Sequence, residues 1–178
     1  MMGYYGRPDL TAEVMTEDGW FRTGDIGEIL PGGYLRITDR KKEIFKTAGG
    51  KYIAPQNMEN VYKESAFIEQ CMVAGENRKF PVLLLQPQFD YLKSWCQRKD
   101  IPWTTPEDMV QNPRIIARIQ RDVDAKNQQF GKREAVKKIY ITSDAWTIPA
   151  GHLTPTMTLR RKPILKMYEA GYEGLYAE

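Results

Sequence analysis

The sequence predicts an α+β fold, a small mixed sheet covered by helices and preceded by a β-hairpin. Three observations carry this. Short apolar-alternating runs interleave with amphipathic helical segments, but not in the regular series that builds a parallel βαβ sheet. Prolines at Pro55, Pro106, Pro113 and Pro163 each stand where a helix opens. An abrupt polar break, Thr38-Asp39-Arg40-Lys41-Lys42, follows the first hairpin and is the best domain boundary.

Taken in order, Met1 to Pro8 reads as a loop running along a surface. Ile26–Leu30 and Tyr34–Thr38 flank Pro31-Gly32-Gly33 and predict a β-hairpin. A second, shorter hairpin is expected from Glu43–Lys46 and Lys51–Ile53 around Thr47-Ala48-Gly49-Gly50. Pro55 opens a helix whose apolar face carries Met58, Val61 and Tyr62. Phe67–Gly75 and Pro81–Gln86 are strand candidates around a Gly75-Glu76-Asn77 turn. Phe89, Leu92, Trp95 and Cys96 line one helix face. Thr105-Pro106-Glu107-Asp108 supplies a cap, a first-turn proline and acids at the positive end of a helix. Asn112-Pro113 repeats the device, and Ile116, Ile119, Val123 and Phe130 form the apolar stripe that follows. Ala135–Ser143 predicts a third strand. Pro163 opens a final helix with Ile164, Leu165 and Tyr168 inward.

With 178 residues, the chain is long enough for one domain with a real core, or for a domain plus part of another. A charge of +3, from 26 basic and 23 acidic residues, is too mild to indicate nucleic acid; it is compatible with a basic patch for a phosphorylated ligand. The pairs Lys132-Arg133 and Lys137-Lys138 belong to no nucleic-acid module. Cys71 and Cys96 lie far apart, which argues against a disulfide framework or a zinc site and for a cytoplasmic protein. No apolar run reaches membrane-spanning length, which leaves peripheral membrane association open, and the first residues lack the apolar core of a signal peptide.

The chemistry concentrates in GWFRTGDIG and ITDRKKEIFKTAGGKYIAPQNME. Asp25 sits on a glycine-flanked turn, where a ligand approaches the backbone closely. A fixed carboxylate accepts two hydrogen bonds from a vicinal diol, and charge-assisted bonds are the stronger ones. Taken alone, Asp25 fits a simple turn cap as well. Lys41, Lys42 and Lys51 read as a solvated face. The single histidine, His152, fits a structural role or a proton shuttle. The four tryptophans read as packing residues.

Four separated stretches resemble one family, in the right order. YYGRPDLTAEVMTEDGWFRTGDIGEI, YLRITDRKKEIFKTAGGKYIAPQNMEN, IPWTTPEDMVQNPRIIARI and GHLTPTMTLRRKPIL resemble the AMP-forming acyl-CoA synthetases, in their long-chain fatty-acid branch. The resemblance implies that residues 1–38 are the tail of a large N-terminal adenylation domain. Residues 39–178 would then be the small mobile C-terminal domain. It implies a two-step reaction in which a fatty acid and ATP give acyl-AMP, and coenzyme A then displaces AMP. Asp25 would hold the ribose hydroxyls, and Arg40 the nucleotide, through a guanidinium that donates in a planar fork. Asp39 would be the hinge. Lys46, Gly49 and Gly50 would face the site in the second step. ATP/AMP, Mg2+ and coenzyme A would be the cofactors, with Mg2+ held mainly by the large domain. Fatty acid, ATP, coenzyme A and the chain's own N-terminal domain would be its partners. The phosphate loop and the acyl tunnel of such enzymes are not found here, so the chain alone is expected to be inactive.

One position departs from the family. Where long-chain members carry a lysine after Leu-Thr-Pro-Thr and one apolar residue, this chain has Thr158 after Met157. That lysine neutralises charge developing on the carboxylate and α-phosphate. Three readings stay open: Arg160, Arg161 or Lys162 takes the role, the first step is slow, or the chain binds ligands without catalysis. The alternatives to a long-chain ligase are a silent coenzyme A-, nucleotide- or partner-binding module and another adenylate-forming ligase, aryl-CoA or carrier-loading.

Overall fold

A computed structural model describes residues 1–177. Its centre is a three-stranded mixed sheet of β5 (Ile68–Ala74), β6 (Val82–Pro87) and β7 (Lys138–Ile141), in the order β5-β6-β7. β5 runs antiparallel to β6, and β7 runs parallel to it. Successive side chains point to opposite faces. Cys71, Val73, Leu83 and Leu85 therefore enter one core with α2 (Pro55–Tyr62), α3 (Phe89–Arg98), α4 (Pro106–Gln111) and α5 (Pro113–Asn127). Met72, Ala74, Val82 and Leu84 enter a second core with Trp146, Ile164, Tyr168 and Tyr172 of the C-terminal segment. A strand covered on both faces reads as an unbroken apolar run, which explains Val82-Leu83-Leu84-Leu85.

Ahead of this unit, β1 (Asp25–Ile29) and β2 (Leu35–Arg40) form the expected antiparallel hairpin, with a bulge between Ile26 and Gly27. β3 (Phe45–Lys46) and β4 (Tyr52–Ile53) form the second. None of residues 1–38 is buried; Asp39 is the first that is.

Three expectations change, and one element is added: residues 1–7 are the expected loop, and a helix that was not expected, α1 (Pro8–Val14), follows it, with Pro8 in its first turn and Asp9 favouring its positive end. The inward stripe of α5 is Ile115, Ile119 and Val123 rather than Ile116, because Asn112 caps the helix and sets its phase. β7 is shorter than Ala135–Ser143. The side chain of Asn127 bonds both backbone groups of Val136, so that stretch pairs with the end of α5 rather than with the sheet. The final helix is two, α6 (Arg161–Met167) and α7 (Glu169–Gly174), parted at Tyr168, whose backbone leaves helical geometry.

His152 is buried. Its Nδ1 accepts the Thr147 N–H at 3.4 Å, and its Nε2 lies 3.1 Å from Tyr168 Oη, which donates to Asp144. Its ring stacks with Trp146 and Tyr168. Burial holds its pKa below the ordinary value, with Asp144 opposing. A neutral buried histidine binds its proton more readily once the chain unfolds, so stability is full above the unfolded pKa of ~6.5 and falls as pH drops below it. Urea midpoints at pH 7 and pH 5.5 should differ, and His152→Phe, which keeps a stacked ring, should shrink the difference.

Candidate functional site

The cleft is built around α2. Its N-cap, Ala54, offers no side-chain acceptor. Asp39 supplies one from the end of β2, accepting N–H bonds from Gln56 at 3.1 Å and Arg40 at 2.6 Å, with a third from Asn57. A buried carboxylate at a helix N-terminus satisfies donors that otherwise lack partners. Burial still raises its pKa. Asp39 therefore ties the hairpin to the main unit, while Lys41 and Lys42 after it lie exposed in a turn.

The register of β1 and β2 sets Asp25 opposite Arg40, and Arg40 Nε lies 3.3 Å from Asp25 Oδ1. Arg40 remains well exposed and reaches the mouth of a cleft that Gln56, Asn60, Lys63, Gln70, Thr158 and Arg161 also line. Two residues far apart in sequence, Arg40 and Thr158, thus share one cavity.

The floor is a buried ion pair. Arg161 grips Glu59 in a fork, Nη1 to Oε1 and Nη2 to Oε2, both at 2.8 Å. Its Nε donates to Glu43 at 3.0 Å, and Nη1 also meets the Val73 carbonyl at 3.3 Å. Val73 N–H donates to Glu59 at 2.7 Å. A paired, fully hydrogen-bonded charge tolerates burial.

Above the floor, residues Leu153 to Leu159 form a narrow loop closed by a bridge between its ends. Thr158 N–H donates to Thr154 Oγ1 at 3.1 Å, and Met157 takes a positive φ of 63°. Thr158 is exposed and lines the cleft. Of the three cations proposed from sequence as substitutes, Arg161 lines this cleft but is spent on Glu43 and Glu59. Arg160 turns to the Gly151 carbonyl at 3.4 Å, and Lys162 borders a neighbouring cleft with Lys42 and Phe45. Lys63 and Arg40 are the cleft's remaining cations. Sequence reading missed Lys63, Asn60 and Gln56. The signal was there: they repeat at helical spacing on the polar face of α2.

Lys46, Gly49 and Gly50 lie on the β3–β4 hairpin and do not line this cleft. Lys46 Nζ sits 5.5 Å from the centre of the Tyr52 ring. Gly50 has φ +80°, which calls for glycine by backbone conformation; a Cβ on Gly49 would meet nothing within 4 Å. Among the described residues, no three histidine, cysteine or carboxylate side chains gather into a metal site. Cys71 and Cys96 are free and buried, and burial pushes the Cys71 thiol up.

Comparison with known families decides the assignment. Residues 42–178 match the family model of the AMP-binding enzyme C-terminal domain. The chain belongs to this family. As an AMP-binding C-terminal domain, it is 37% identical over 99% of its length to long chain acyl-CoA synthetase 6, peroxisomal, of Arabidopsis thaliana. It is 38% identical over 98% to human long-chain-fatty-acid–CoA ligase 6. It spans about a quarter of those relatives, 26% and 25% of their lengths. Among solved structures it is similar to the adenylation domain of a carboxylate reductase from Mycobacterium chelonae, with TM-score 0.78 and 26% identity over 99% of this chain and 26% of that one. The corresponding domain from Segniliparus rugosus, in complex with AMP and a co-purified carboxylic acid, matches with TM-score 0.77 and 25% identity, over 98% of this chain and 26% of that one. The fold is that of the C-terminal domain of adenylate-forming enzymes.

Proposed function

We propose that the chain serves as the C-terminal part of a long-chain fatty-acid–CoA ligase. The end-to-end similarity to long-chain acyl-CoA synthetases carries this reading. In the first step a fatty-acid carboxylate attacks the α-phosphate of ATP, forming the acyl–phosphate bond and expelling pyrophosphate. In the second, the coenzyme A thiol attacks the acyl carbon, forms the thioester and expels AMP. Asp25 accepts the ribose hydroxyls, and Arg40, held opposite it, donates to the nucleotide. Residues 1–38 belong with a preceding large domain, consistent with the absence of any buried residue before Asp39. Mg2+ would be held mainly by that domain. Asp39, at the end of β2 and bonded to the start of α2, marks the hinge. Lys46, Gly49 and Gly50 face the coenzyme A thiol arm once the small domain has swung. Two free buried thiols support a reducing, cytoplasmic setting.

The full-length protein given palmitate, ATP and coenzyme A should release AMP and form palmitoyl-CoA, and the chain alone should release none. No AMP from the full-length protein would overturn the reading. Asp25→Ala should weaken AMP binding roughly 10- to 100-fold by calorimetry, because a hydrogen bond to a charged group contributes ~1.5–3 kcal/mol. A second reading, a silent binding module, is favoured by one observation: the cleft holds Thr158 where the family lysine belongs.

A further inference from the structure

We propose that Arg78 is a positioning residue for thioester formation. It couples the Lys46–Gly50 loop to the C-terminal helix α7. The proposal rests on the reading that this loop faces the thiol arm.

The loop has little to hold it. β3 and β4 contribute two residues each, and Ala48, Gly49 and Gly50 are exposed. Lys51 pairs with Glu134 at 2.7 Å on one limb. The other limb leans on the turn between β5 and β6. Asn77 N–H donates to the Lys46 carbonyl at 2.9 Å, and Ala48 N–H donates to the Arg78 carbonyl at 2.9 Å. The loop's place is therefore set by where this turn sits.

The turn is strained and externally fixed. Gly75 has φ 142° and Asn77 has φ 57°, both on the positive side. A Cβ at Gly75 would come within 2.9 Å of the Phe80 carbonyl and 3.3 Å of Tyr176 Oη. Arg78 pairs with Glu173, and its guanidinium lies 5.6 Å from the ring centre of Tyr172 and 5.1 Å from that of Tyr176. Tyr176 Oη donates to the Phe80 carbonyl at 3.0 Å. Arg78 thus holds α7 with its side chain and the loop with its carbonyl. Guanidinium suits this double task because it pairs and stacks at once. Reactions that depend on a held geometry are sensitive to displacements of about 1 Å from remote changes.

The test uses the full-length protein with palmitate, ATP and coenzyme A. Arg78→Ala should slow thioester formation from preformed palmitoyl-adenylate roughly 10- to 100-fold while leaving ATP–pyrophosphate exchange unchanged. Arg78→Lys, which keeps the charge beside Glu173 and the two rings, should recover most of the loss. In parallel, the Ala48 amide should exchange with solvent roughly 5- to 30-fold faster in Arg78→Ala, with core amides such as Leu84 unaffected. Equal loss in both half-reactions, or no loss in either, would overturn the proposal. If the wild-type protein forms no palmitoyl-CoA, the ligase reading fails instead. Unchanged exchange at Ala48 would then sink the coupling on its own, and faster exchange would sustain it.

Discussion

Thr158→Lys should raise the rate of acyl-adenylate formation by about 100- to 1000-fold, the usual worth of one preorganised electrostatic group in a site. The position accepts lysine readily. Thr158 is exposed, and its N–H bond to Thr154 Oγ1 belongs to the backbone, so the loop survives the change. Its own hydroxyl makes only a 3.5 Å contact with Thr156. Folding stability should move by no more than ~0.5 kcal/mol, as for ordinary surface changes. A long flexible cation entering beside Arg40 would reach the place where negative charge grows between carboxylate and α-phosphate. ATP–pyrophosphate exchange driven by palmitate is the measurement, made on the full-length protein. A large gain marks a weakened ligase. An unchanged rate, joined to a loss in Lys63→Ala, would instead assign the charge to Lys63, which lines the same cleft. An unchanged rate in both would favour the silent binding module.

Arg161→Ala should cost about 3–5 kcal/mol of folding stability, the range for breaking a buried ion pair by removing one partner. Glu59 has only 4% of its side chain exposed and loses both guanidinium bonds. Glu43 loses its partner too. The deficit should depend on pH. Burial pushes the Glu59 carboxyl up, and Arg161 opposes this in the native chain. Without Arg161 the raised pKa dominates. Stability is then fullest where Glu59 is protonated and is lost as pH rises through its folded pKa. Denaturant midpoints of the variant should therefore be closer to wild type at pH 5 than at pH 8. Glu59→Leu combined with Arg161→Met should recover most of the loss, because an apolar pair of similar volume avoids the desolvation cost. A loss under about 1 kcal/mol would show that water reaches Glu59 and that the pair is not the floor of the cleft.

Much of the architecture was legible because its signals are local. A proline in the first turn, an asparagine or threonine cap and a Pro-Gly-Gly turn each act within a few residues. Of the misreadings, the phase of α5 goes with its cap, and the late start of β7 with a group outside the strand. Asn127 reaching Val136 is the plainest case. For the site, the sequence pointed to Asp25, Arg40 and the closing loop, and the strand register set the first two face to face.

The sequence by itself determined the family, the order of elements and the threonine at position 158 where the resemblance implies a lysine, since motifs need no coordinates. Only the tertiary structure decided which cations remain at the cleft. Arg160, Arg161 and Lys162 are neighbours with the same charge, yet Arg161 is spent on Glu59, 102 residues away. Asp39 likewise caps a helix that begins well downstream. Charge is a property of a residue, but its availability depends on which partners the fold brings within hydrogen-bonding distance and on how much water it leaves between them.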